Sequence, residues 1–263
     1  MDGRGVRDRI AAQSAMAAVV AAQSDAPARS PWARMLGLSP LAPGSRDEYR
    51  AALGELLVGD MLENLGQRWD VLHDIPLGSS TLDHLLIGPA GVFAVRVANH
   101  GDRDVVVDGA LLVSGEPTDD VAEAARQADL AGEHLSVAAG EAVRVRALLV
   151  VVDPRRLVER TAPTSVRVVA SADLDRMLHR SPRVLSGDEV ARVSDLADLE
   201  STWPPPQPQS LDLPGLHRAF AIVRQDVRSA LLRRALWAGG ALAVGCVGLW
   251  LVVARAVAAV VSS

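Results

Sequence analysis

Asp83, Arg96, His84 and His100 bring a carboxylate, a permanent cation and two imidazoles to one short stretch, residues 80–100, which reads STLDHLLIGPAGVFAVRVANH. What the chain lacks narrows the chemistry further. All 27 basic residues are arginine, so no mechanism that needs a lysine amine is open to it. His73, His134, His179 and His217 complete the histidines. None of the six has metal-protease spacing or a neighbouring nucleophile, and only His84 and His100 lie in this stretch. The single cysteine, Cys246, rules out an intramolecular disulfide and a cysteine zinc cluster, and inside an apolar run it reads as a small packing residue. No phosphate-cradling glycine loop and no nucleophile elbow occur. The formal net charge of -5 gives no general support for a nucleic-acid-binding surface.

The elements that must position these residues follow from periodicity. Apolar runs at 82–87 and 92–97, joined by Gly88-Pro89-Ala90-Gly91, predict a β-hairpin. Alternation then puts Arg96 and Ala98 on one face, with Val95 and Val97 opposite and Asp83 on the partner strand within reach of the first face. Upstream, Ala52, Leu56, Leu57, Met61 and Leu65 predict an amphipathic helix over 47–65 that stops at Gly66. Gly54 inside that helix costs about 1 kcal/mol relative to alanine and so marks close packing.

Residues 69–75 read as a strand. Residues 105–107 and 111–113 read as a second hairpin across Asp108-Gly109-Ala110. A helix over 118–139 is expected, capped by Thr118 or Asp119 and stopped by Gly140. Residues 143–152 are almost wholly apolar, as in a strand buried on both faces. A further strand at 165–169 precedes helices at about 172–178 and 187–199. This order predicts a mixed α/β domain with helices flanking one sheet.

Outside residues 47–203 the composition shifts. Residues 1–24 read as an Ala-rich helix that docks loosely, their apolar piece at 15–22 being too short and weakly hydrophobic for a signal peptide. Residues 25–46, with Pro27, Pro31, Pro40 and Pro43, read as a linker, so 1–46 is an N-terminal segment and linker. Residues 204–234 are a Pro-rich linker followed by a basic juxtamembrane helix. Residues 235–254 carry no charge over the length a bilayer core requires and read as a transmembrane helix, with 255–263 a short tail. Arg224, Arg228, Arg233 and Arg234 crowd the near flank against Arg255 beyond. The positive-inside rule therefore predicts a single-pass cell-membrane protein with its globular domain in the cytoplasm, and the same arginines are candidate contacts for anionic lipid.

Several separated motifs then resemble one family. They are Gly54-Glu55, Trp69-Asp70-Val71-Leu72-His73, Leu82-Asp83-His84-Leu85-Leu86-Ile87-Gly88-Pro89, Gly91-Val92-Phe93, Asn99-His100, Val107-Asp108-Gly109 and Gln127. In this order and spacing, across about 47–203, they resemble the nuclease-related domain (NERD) family. The Arg-only, Ala/Val-rich composition suits an actinobacterial, membrane-anchored member. The resemblance implies a restriction-endonuclease-like mixed sheet flanked by helices with a PD-(D/E)xK core.

In such a core two carboxylates hold Mg2+ or Mn2+ and a lysine positions the attacking water. Carried over by position, the first carboxylate matches Asp83, the helix acid Glu55 and the helix glutamine Gln127. The second acid falls on Arg96 and the lysine on Ala98. Arginine cannot ligate a metal and repels one, and Ala98 removes the amine. The core therefore reads as degenerate, with Arg96 pairing with Asp83 in place of a metal and Asp83 and Glu55 left as the weak metal candidates.

The resulting expectation is a membrane-anchored pseudoenzyme without a cofactor, acting as a cytoplasmic binding or scaffolding module for a protein or a nucleic acid. The alternative is a divergent metal-dependent nuclease acting on DNA or RNA with Mg2+ or Mn2+. A basic groove beside Asp83 would favour the alternative. A third reading, a purely structural membrane protein, accounts for the anchor and none of the domain's motifs.

Overall fold

The hairpin expected at residues 80–100 forms the middle of a five-stranded sheet in the computed structural model, which describes residues 6–27, 29–205 and 212–261. The expected Pro-rich linker lies outside the described residues over 206–211. Strands β1 (Asp70–Leu77), β2 (Ser80–Gly88) and β3 (Gly91–Asn99) run antiparallel in sequence. Two parallel strands continue the sheet from β3, first β7 (Val145–Val152) and then β9 (Val166–Ala170). Strands β4 (Asp104–Asp108), β5 (Ala110–Val113), β6 (Glu116–Thr118) and β8 (Arg156–Thr161) form a second, four-stranded sheet in the order β6-β5-β4-β8.

The helices are α1 (Gln13–Ser24), α2 (Pro31–Met35), α3 (Arg46–Glu63), α4 (Asp120–Ala139), α5 (Leu174–Arg180), α6 (Gly187–Asp198) and α7 (Leu213–Val261). The chain divides into two compact units, Met1–Ala18 with Asp47–Ser210 and Val19–Arg46 with Leu211–Ser263.

In the first unit the five-stranded sheet is buried on both faces, which is why β7 is nearly all apolar. Ala147, Leu149 and Val151 face one cluster, and Leu148, Val150 and Val152 the other. The first cluster takes in Val121, Ala124, Ala128, Ala131 and Leu135 of α4, Val193 and Ala197 of α6, and Val105, Val107, Leu111 and Val113 of the second sheet. The second takes in Val58 and Leu62 of α3 and Leu174 and Leu178 of α5.

Gly54 lets α3 lie close on β3. A Cβ there would come within 2.9 Å of Asn99 Cβ and 3.2 Å of Val97 Cγ1. Asn99 Nδ2 donates to the Arg50 carbonyl at 2.8 Å across the same contact. Gly88, the last residue of β2, lies under the Trp69 indole, and a methyl group there would overlap the ring. Gly88→Ala should therefore destabilise the domain by about 1–3 kcal/mol, the ordinary cost of overpacking, read as a fall in the urea midpoint. An unchanged midpoint would mean that Trp69 swings clear.

Several expectations need correction. The strands form two sheets rather than one, and the short, polar β6 and β8 carry no apolar alternation to announce them. Thr118 ends β6 instead of capping α4, and Asp119 at the cap position makes no side-chain cap bond. Gly140 does stop α4, in the left-handed conformation at φ 67°.

The N-terminal segment does not dock loosely. Val6, Ala12 and Met16 are buried. Arg9 pairs with Asp74, and the Ser14 backbone N–H donates to Asp74 at 2.9 Å. Within the stretch read as a linker, α2 is a capped helical turn, with Ser30 Oγ accepting from the Ala33 N–H at 3.2 Å.

In the second unit α7 is one continuous helix, unbroken between the basic stretch and the apolar run. Leu216, Phe220, Val223 and Ala230 are buried along one stripe, as in an ordinary amphipathic helix. From Leu231 to Trp250 every residue is exposed, and the apolar ones lie all round the helix. By length and composition α7 is the one candidate membrane span among the described residues.

Candidate functional site

The strand register brings the sequence-predicted residues into one row. Pairing of His84 with Val95 sets Asp83 beside Arg96, and Arg96 pairs in turn with Leu149 of β7. On the other side His73 pairs with His84 and Ile75 with Leu82. Asp74 is left between them in a positive-φ kink (φ 53°) beside Asp83. Asp83 is half-buried, and its Oδ2 accepts from the Val97 N–H at 2.7 Å.

Burial pushes the Asp83 carboxyl up to about 6. The Val97 hydrogen bond and Arg96 oppose the rise, while Asp74 and Asp120 add to it. Burial also pushes Glu55 on α3 well above the carboxylate range, with Asp83 and Asp74 adding and Arg96 opposing. Glu55, Asp83 and Arg96 therefore form one electrostatic cluster.

The ion pair between Arg96 and Asp83 that the sequence led us to expect does not form. Arg96 Nη2 lies 3.5 Å from Asp120 Oδ1 at the start of α4. Asp83 already spends one oxygen on the β3 backbone, and Asp120 offers a carboxylate held in place. Asp120 Oδ2 accepts from His100 Nε2 at 2.9 Å and from Thr118 Oγ1 at 2.8 Å. Burial raises the Asp120 carboxyl, but these bonds and the charge of Arg96 outweigh it and hold it below the ordinary range. Ala98 is buried in the core that α4 caps, so the position matched to the lysine is a packed methyl group.

Gln127 is buried and contacts the sheet. Its Nε2 donates to the Thr81 carbonyl at 3.1 Å and to Glu123 Oε1 at 3.2 Å. It ties α4 to β2 two residues before Asp83.

On the opposite face of the sheet lies a feature that spacing did not reveal. His73 and His84 face each other across β1 and β2 with their Nδ1 atoms 2.8 Å apart, and His73 Nε2 lies 3.0 Å from Glu63 Oε1. One neutral arrangement satisfies both contacts. His84 Nδ1–H donates to His73 Nδ1, and His73 Nε2–H donates to Glu63. His84 Nε2 then makes no hydrogen bond of good geometry among the described residues, with the Glu55 backbone beside the ring. Burial lowers both imidazoles, His84 to about 3 with the His73 charge assisting, so the pair is neutral at pH 7. Asp74, Asp120 and this pair all depend on register, and none carries a sequence signal of its own.

The divalent cation that the resemblance implies does not fit these donors. Asp83 has one uncommitted oxygen, Glu55 favours its neutral form, and the third position is a guanidinium. Among the described residues no group of three His, Cys, Asp or Glu side chains is placed to hold a metal ion. Arg96 is the cation of the cluster, and Glu55, Asp83, Asp120 and Glu123 all feel its charge. Among the groups that shift Asp83, Asp74 and Asp120 are acids and Arg96 is the one cation.

Comparison with known proteins agrees with the motifs. The sequence model described as the nuclease-related domain matches residues 50–152, which covers α3 through β7 and includes Glu55, Asp83, Arg96, Ala98 and Gln127. No curated protein and no solved structure matches the chain.

Proposed function

We propose that this chain, a nuclease-related domain at residues 50–152 joined to a C-terminal apolar helix, is a catalytically inactive, membrane-anchored binding or scaffolding protein. The observation that carries the reading is Arg96. A fixed guanidinium stands where the chemistry needs an acid, and the adjoining lysine position is the buried methyl of Ala98. Cations on the near flank of α7, Arg224, Arg228, Arg233 and Arg234, support a cytoplasmic α/β domain and contact with anionic headgroups, each worth about 1 kcal/mol near the surface. The formal net charge of -5 favours a protein partner over nucleic acid.

A second reading, the divergent metal-dependent nuclease, is favoured by one observation. Burial, with the charges of Asp83 and Asp74 adding, raises the proton affinity of Glu55, and a divalent cation beside these acids would oppose that rise. Titration calorimetry of the full-length protein in detergent with Mg2+ and Mn2+ separates the two, run beside Asp83→Ala. The proposal expects no binding heat from either protein. Sub-millimolar uptake by the wild type that Asp83→Ala abolishes overturns it in favour of the nuclease.

A further inference from the structure

We infer that residues 29–38 form a second membrane contact, an apolar wedge ringed by arginine that seats in the headgroup region beside the start of the α7 span. The inference rests on the membrane reading of α7. The stretch has the prolines of a linker but not its surface, since Trp32, Met35, Leu36 and Leu38 are 69%, 45%, 45% and 50% exposed. A solvated linker has no reason to hold four large apolar side chains in water.

Three contacts within the second unit fix where the wedge sits. Gly37, at φ 67°, meets α7 so closely that a Cβ would lie 2.8 Å from the Arg234 nitrogen and against the Ala230 carbonyl. Arg233 Nη1 donates to the Arg34 carbonyl at 3.0 Å, and the Trp237 indole N–H donates to the Met35 carbonyl at 2.9 Å. The wedge is therefore level with residues 230–237 of α7. There the buried stripe ends and exposed Leu231, Leu232 and Leu236 begin.

Charge agrees with that placement. Residues 29–46 carry Arg29, Arg34 and Arg46 and no acid, and Arg233 and Arg234 stand alongside on α7. Tryptophan and arginine around an apolar patch, continuous with a span, are what an anionic bilayer surface takes up.

The test uses the full chain in vesicles of phosphatidylcholine and phosphatidylglycerol. Leu36→Cys in a Cys246→Ala background takes an environment-sensitive fluorophore at the wedge. Val137→Cys, on an 84% exposed position of α4, is the reference. Seating about 5–10 Å into the interface predicts that brominated acyl chains quench the wedge label roughly twofold and leave the reference unchanged. Alkaline carbonate extraction is run on the same vesicles.

If the protein resists extraction and the wedge label is quenched, the inference stands. If it resists extraction but the label is quenched only by aqueous iodide, the wedge is in water. The inference then fails while the span remains. If the label is shielded from both quenchers, a second copy or another protein covers it and the inference fails. If carbonate strips the chain from the vesicles, the span reading fails and takes the inference with it.

Discussion

Asp83→Asn should stabilise the protein at pH 8 and leave it unchanged at pH 4. Burial raises the Asp83 carboxyl from 3.8 to about 6 in the folded state, so the folded protein binds a proton more tightly than the unfolded chain. Wild-type stability therefore falls as pH rises from about 4 through 6 and stays low above that. At 1.36 kcal/mol for each tenfold change in proton affinity, the full penalty at pH 8 is at most about 3 kcal/mol. Asparagine removes the charge and keeps an oxygen to accept from the Val97 N–H. It should also let Glu55 ionise more readily, because the Asp83 charge is one of the causes of its shift. Thermal melts of wild type and variant across this pH range read the difference directly. A variant less stable than wild type at pH 8 would mean that the ionised carboxylate has a stabilising partner.

Arg96→Glu should give the protein a divalent-cation site. The substitution removes the cation that opposes the raised carboxyls of Asp83 and Glu55, and it adds a third hard oxygen donor beside them. Without metal the variant should melt below the wild type, because Asp120 loses its ion pair and the acids of the row repel one another. Saturating Mn2+ should reverse that loss. At a concentration one hundred times the dissociation constant, the gain is about 2.7 kcal/mol, while the wild-type melt should not move. No Mn2+-dependent shift in the variant would mean that something other than Arg96 excludes the metal. Nuclease activity is not expected from this change alone, since Ala98 still supplies no amine.

Much of the fold was legible because its elements carry their own period. Alternating runs around Pro89-Ala90 gave the hairpin, helical spacing with a terminal glycine gave α3 and α4, and an uninterrupted apolar run gave β7. Elements defined by distant partners were not legible. Glu116-Pro117-Thr118 is too short to show a pattern, and Arg156–Thr161 is half polar, so the second sheet emerges from pairing with β4 and β5. The site divides in the same way. Asp83, Arg96, Ala98, Glu55 and Gln127 were found through motif spacing. Asp120 as the partner of Arg96, Asp74 beside Asp83 and the His73–His84 pair are consequences of register between strands. Docking of Val6, Ala12 and Met16 was hidden for a related reason, because an Ala-rich segment has no apolar face that stands out.

The continuity of α7 has a mechanical consequence. Its only proline, Pro214, is its second residue, where it introduces no kink. At about 1.5 Å per residue, the 49 residues of the helix make a rod of roughly 74 Å. That is more than twice the thickness of a bilayer hydrocarbon core, about 30 Å. Thinning or thickening of the bilayer changes the tilt of a span. If α7 spans a bilayer as one rigid rod, a change in its tilt moves the far end through an arc in proportion to its length.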